Sequence, residues 1–145
     1  MNRKSIAALA VAVGTVASTA MVNPAGAASV SGCAGAYKIV SVSIKYKGCQ
    51  HVTSSAGQVL VDGARLNDHG SPVSVSYQFA LRDSTAGSVT YGGTWFTQTW
   101  PTGSGMTNQS ERFACIRGHS IRGLMHVKVN GSTGAWSESP TFTCR

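Results

Sequence analysis

From residue 73 to 81 the chain alternates without a break. Val73, Val75, Tyr77, Phe79 and Leu81 interleave with Ser74, Ser76, Gln78 and Ala80. A period of two places the first set on one face of an extended chain and the second on the other, as in a strand with one dry side and one wet side. Residues 38–46 repeat the pattern: Val40, Val42, Ile44 and Tyr46 share a face, with Ser41, Ser43 and Lys45 opposite. In residues 124–129, Met125, Val127 and Val129 oppose His126 and Lys128. Further strands are predicted over 59–61, 89–97, 112–116 and 135–144, the last bent at Pro140. The turn clusters Asp62-Gly63, 67–72, 83–87 and 130–134 divide them. Residues 101–110, polar and glycine-rich, read as the longest loop.

Outside the first 27 residues no segment holds a 3.6-residue period for ten positions. About seven short strands at regular spacing therefore predict an all-β fold, an antiparallel β-sandwich, in one domain over 28–145.

The N-terminus follows other rules. Arg3 and Lys4 precede an uncharged apolar run over 6–16, and small residues lead to Ala25-Gly26-Ala27. This is the order of a signal peptide, with cleavage expected after Ala27. Polar residues enter after Val16, too early for the roughly 20 apolar residues that a bilayer span needs. The expected location is secreted, extracellular.

All four cysteines, Cys33, Cys49, Cys115 and Cys144, follow that site. An even number in an exported domain predicts two disulfides. Three pairings are open. Cys33–Cys49 and Cys115–Cys144 are favoured, because each pair brackets neighbouring predicted strands. C-x-x-C spacing is absent, which argues against zinc and against a redox dithiol.

The run Leu124-Met125-His126-Val127-Lys128-Val129-Asn130-Gly131, followed by Ala135-Trp136-Ser137-Glu138-Ser139-Pro140, resembles the closing hairpin of immunoglobulin-like and fibronectin type III-like sandwiches. There a Val-rich strand meets a Trp-Ser-x-x-Pro return. The resemblance implies an immunoglobulin-like sandwich, and adhesion or ligand binding as such folds often perform, although fold does not fix function. The Ala- and Gly-rich leader resembles those of small secreted actinomycete proteins.

The formal charge is +7, and the leader carries only Arg3 and Lys4 of the cations, so the secreted domain stays basic. That suits anionic partners, although dispersed charge also serves solubility alone. Catalytic patterns are sparse. His51, His69, His119 and His126 have no metal-ligand spacing and are expected as exposed, unligated rings. Gly118-His119-Ser120-Ile121-Arg122-Gly123 is one residue too long for a nucleophile elbow and precedes no helix. Asp62, Asp68 and Asp83 stand in turn contexts. Glu111, Arg112, Arg117 and His119 have the chemistry of a small secreted hydrolase or nuclease toxin. They would need His119 within reach of a buried acid in a cleft.

The most distinctive segment is residues 90–101, rich in aromatics and glycine. Tyr91 and Trp95 share one strand face, and Phe96 and Trp100 the other. One face belongs to the core, and the other is free to meet a partner. Trp100, leading into residues 101–110, is the ring expected to be bare. With Arg117, Arg122 and Lys128 it forms the expected binding surface. The expectation is a non-catalytic binding module for an anionic wall polymer, a polysaccharide or an extracellular protein, with no cofactor and no metal. A coat or matrix component that self-associates through an edge strand is the third alternative.

Overall fold

The alternating run from Val73 becomes one of the two long strands at the centre of the second sheet. In a computed structural model, which describes residues 30–52 and 56–145, the strands are β1 (Val30–Cys33), β2 (Lys38–Ser41), β3 (Ile44–Val52), β4 (Gln58–Asn67), β5 (Val73–Asp83), β6 (Ser88–Tyr91), β7 (Phe96–Trp100), β8 (Gly103–Met106), β9 (Glu111–Ala114), β10 (Ser120–Val129), β11 (Ser132–Thr133), β12 (Ser137–Glu138) and β13 (Phe142–Thr143). The expected leader, 1–27, lies outside the described residues.

These strands form two sheets, and every pairing is antiparallel. In the first, β3 and β4 are central; β1 and β2 run along the free side of β3, and β8 and β9 along that of β4. In the second, β5 and β10 are central; β6 and β7 flank β5, and β11, β12 and β13 flank β10. Long strands thus fill the middle and short segments make every edge. Short, interrupted edges discourage pairing with another chain.

The core lies between the sheets. Ile44, Tyr46, Val59 and Val61 enter from the first sheet. Val75, Tyr77, Phe79, Trp100, Ile121, Met125 and Val127 enter from the second. A fully buried large apolar side chain contributes roughly 1.5–3 kcal/mol, so these alternating positions hold the layers together. Burial raises the Tyr46 hydroxyl to about 12. That hydroxyl donates to the Ala135 carbonyl and stays neutral.

Both favoured cystines are present, Cys33–Cys49 and Cys115–Cys144. The first joins directly paired residues of β1 and β3. The second ties the end of β9, in one sheet, to the end of β13, in the other. Each closure contributes roughly 3–4 kcal/mol on the loop-entropy model. Two cystines fit an oxidising compartment outside the reducing cytosol. Among the described residues no helix is long and apolar enough to cross a membrane.

Several expected boundaries differ. Residues 38–46 are not one strand: β2 and β3 meet in a tight hairpin at Val42 and Ser43, which leaves Val42 92% exposed. Asp62-Gly63 is no turn but lies inside β4, paired with Cys49 and Gly48. A Cβ on Gly63 would sit 2.0 Å from the Met125 sulfur, so any side chain there would displace the Met125 tip; the glycine marks close sheet packing, not a bend. Residues 101–110 contain β8, which pairs with β4. Residues 89–97 split into β6 and the start of β7, and 135–144 into β12 and β13. Asn130-Gly131 is a turn as expected, with φ of 47° and 81°, the paired left-handed geometry that fits a two-residue hairpin.

Candidate functional site

The face partition of the aromatic segment holds, but the bare ring is a different one. Phe96 and Trp100 point inward, and Trp100 is fully buried. It pairs with Val73 on β5, lies 6.2 Å from the Tyr77 ring, and its indole N–H donates to Gln98 Oε1. The expectation that Trp100 leads an exposed surface is therefore corrected: the inward phase of β7 carries it into the core. Tyr91 and Trp95, on the outward phase, are 60% and 42% exposed.

Cross-strand register then builds a cluster that linear reading could not assemble. His126 on β10 stands opposite Gln78 on β5. Trp136, just before β12, stacks on the His126 ring with centroids 3.7 Å apart and planes 11° apart. Trp95 closes on the same imidazole at 4.7 Å. Tyr91 meets Trp136 at 5.7 Å. Four rings, from β6, β10 and the residues just before β7 and β12, thus make contact on the outer face of the second sheet. Leu124 and Ala80 point to that face by register, yet they are 1% and 0% exposed.

Hydrogen bonds fix the cluster's orientation. The Gln78 amide nitrogen donates to the Gly92 carbonyl at 2.7 Å, so its oxygen faces His126 Nε2 at 3.0 Å. His126 therefore carries its proton on Nε2. Burial pushes its pKa below the ordinary 6.5, so the ring is neutral near pH 7. The expectation of exposed histidines fails here, and also at His51 and His119, which bond to Asp62 and Asp83.

Glu111 supports the cluster from beneath. Its carboxylate reaches across to the 92–95 segment that carries Trp95. A Cβ on Gly92 would fall 2.0 Å from Glu111 Oε2, so only glycine admits the carboxylate there. Burial raises the Glu111 pKa, partly offset by a hydrogen bond from the Gly93 backbone. Gly92 was the signal for this contact. It could not be read without knowing that β9 passes under it.

The expected cations are dispersed around this face. Arg122 and Arg82 both bind Glu138, at 3.3 and 2.7 Å. Lys128, exposed, stands beside Ser76, whose hydroxyl is 3.2 Å from that of Thr97. Arg122 and Lys128 lie on one face of β10, about 20 Å apart at 3.4 Å per residue, with His126 between them. Arg117 sits in the exposed turn after Cys115.

The expected nuclease cluster does not gather. Glu111 faces the 92–95 segment, Arg112 donates to Gln58, and His119 Nδ1 bonds Asp83 Oδ2 at 2.7 Å. Asp83 lines a cavity of about 220 Å³ with Leu81, Ser88, Thr90, Cys115 and Ile116. Among the described residues no group of three or more His, Cys, Asp or Glu side chains could hold a metal ion. No protein-family model matches this chain, and no curated protein matches it.

Proposed function

We propose that this protein is an exported, non-catalytic module that binds a polysaccharide across the outer face of its second sheet. The observation that carries this reading is the contact of Tyr91, Trp95, His126 and Trp136 on a face where two of the rings remain open to solvent. The C–H faces of a sugar pack on aromatic faces, and rigid rings lose little entropy on binding. Ser76, Thr97 and Lys128 beside the rings supply hydroxyls and an ammonium for the sugar's polar edge. Arg122 borders the same face, and Arg117 adds only general positive charge. Trp100, being interior, supports the face from below.

The leader over 1–27 and the two cystines support export. A sandwich of immunoglobulin-like character suits a binding module, because rigid strands present the rings at fixed spacing. The test is retention of the purified protein on insoluble peptidoglycan, chitin and cellulose. Wild type is expected on at least one of them, with Trp95→Ala lost from it. Failure of the wild type on all three, or equal retention of both proteins, refutes the reading.

A second reading rests on the His119–Asp83 pair. Asp83 accepts from Nδ1–H, which leaves His119 Nε2 as a base, and Asp83 borders a cavity. Such a base could activate water in a small hydrolase. A nuclease plate assay in which His119→Ala abolishes clearing would support it, and absence of clearing by the wild type would remove it. Self-association through an edge has less support, since every edge is made of short segments.

A further inference from the structure

The geometry points to a second docking surface, at the β2–β3 hairpin end of the first sheet, and to an anionic lipid bilayer as its occupant. Val42 is 92% exposed and Ile39 is 61% exposed. Neither packs on the core, and a two-residue turn accepts polar side chains freely, so folding supplies no reason for these apolar groups. Around them stand cations. Lys38 is exposed on β2, Lys45 pairs with Ile39, and Lys47 lies over the Tyr37 ring at 4.4 Å. Lys45 is itself paired with Asp68 at 2.8 Å, so the net positive charge of this end comes from Lys38 and Lys47.

Charge elsewhere does not compensate. Glu138 binds two arginines, Glu111 turns inward, and Asp62 and Asp83 are engaged by His51 and His119 away from the hairpin. The hairpin end therefore presents Lys38 and Lys47, neither of them ion-paired among the described residues, behind an apolar tip. Behind the tip, buried Ile44 and Val129 and half-buried Val73 line a cavity of about 220 Å³, bordered by exposed His69 and Asn130.

An apolar tip with a lysine behind it on each strand of the hairpin matches the border between lipid headgroups and acyl chains. Apolar side chains gain by leaving water, and lysines near an anionic leaflet are drawn to its surface charge. Lys38 stands about 13 Å back from Val42 at 3.3 Å per residue, and its stem can reach toward the headgroups. A soluble polyanion would use the lysines and leave Val42 and Ile39 in water. A second copy of this chain would set lysine against lysine.

The test is flotation of the purified protein with vesicles. One set holds equal parts of phosphatidylglycerol and phosphatidylcholine, the other phosphatidylcholine alone. Wild type should float with the anionic vesicles only. The double variant Ile39→Ser/Val42→Ser should partition roughly tenfold more weakly, from lost apolar burial, and Lys38→Glu should weaken it as well. Both apolar sites are exposed, and unchanged circular dichroism would confirm folding. Trp95→Ala should float like wild type, so this proposal stands or falls apart from polysaccharide binding. It is overturned if wild type ignores anionic vesicles, if the double variant floats equally, or if inorganic polyphosphate binds wild type as tightly as vesicles do.

Discussion

His126 and Trp136 lie face to face, with ring centroids 3.7 Å apart and planes 11° apart. The contact joins a strand interior to the residue that enters the last edge, and Gln78 holds the imidazole in register. Burial disfavours the imidazolium, which lowers the His126 pKa below 6.5. A depressed pKa means the unfolded chain takes up the proton more readily. The stability that the neutral ring contributes is therefore present above pH 6.5 and is lost as pH falls through the folded pKa. Ring-proton titration by NMR should give His126 a midpoint below 6.5. A midpoint at or above that value would contradict the buried stack.

Trp100 is a core residue, so Trp100→Ala should destabilise the domain by about 3–5 kcal/mol. Denaturant unfolding measures it. A loss under about 1 kcal/mol would show that the indole is not packed as described. The corresponding loss for Trp95→Ala should be small, because that ring is partly exposed.

How much of this was legible depends on what each residue encodes by itself. The alternation in 73–81 records two faces, and the strand follows. The same rule separated Tyr91 and Trp95 from Phe96 and Trp100. It could not say which pair faces the core, since that is settled by whether β7 packs against β5 in one phase or the other. Val42 continued an apolar alternation, yet the chain turns there. Asp62-Gly63 looked like a turn, yet the glycine answers to Met125 across the sandwich. The ring cluster was invisible for the same reason: Trp95 is far in sequence from His126 and Trp136, and it meets them only because β7 and β10 both pair with β5. Cystine pairing was readable because it followed neighbouring strands.

Gln50 is fully buried, and among the described residues neither its amide oxygen nor its nitrogen has a hydrogen-bond partner. An unpaired buried amide costs roughly 1–3 kcal/mol. Gln50→Met, similar in length and apolar, should raise the unfolding free energy by about 1 kcal/mol. A loss of that size instead would show that the amide is satisfied by bound water.

Asp83 accepts from the Ala86 backbone N–H at 2.9 Å and from His119 at 2.7 Å. These bonds, with Ala86 the larger influence, hold its carboxyl below the ordinary 3.8. A depressed carboxylate contributes stability that is present above its unfolded pKa and lost as pH falls through the folded value. Wild type should therefore exceed Asp83→Asn in thermal stability at pH 7, and the gap should close on acidification below about 4. A gap that does not change with pH would place the variant's defect elsewhere.

The most direct test of polysaccharide binding is a map of backbone and indole NMR shifts as soluble peptidoglycan fragments or cellohexaose are added to the purified protein. Shifts concentrated at Tyr91, Trp95, His126 and Trp136, with Trp100 little changed, are the predicted result. Shifts confined to the cavity beside Asp83, or none with either probe, would contradict it.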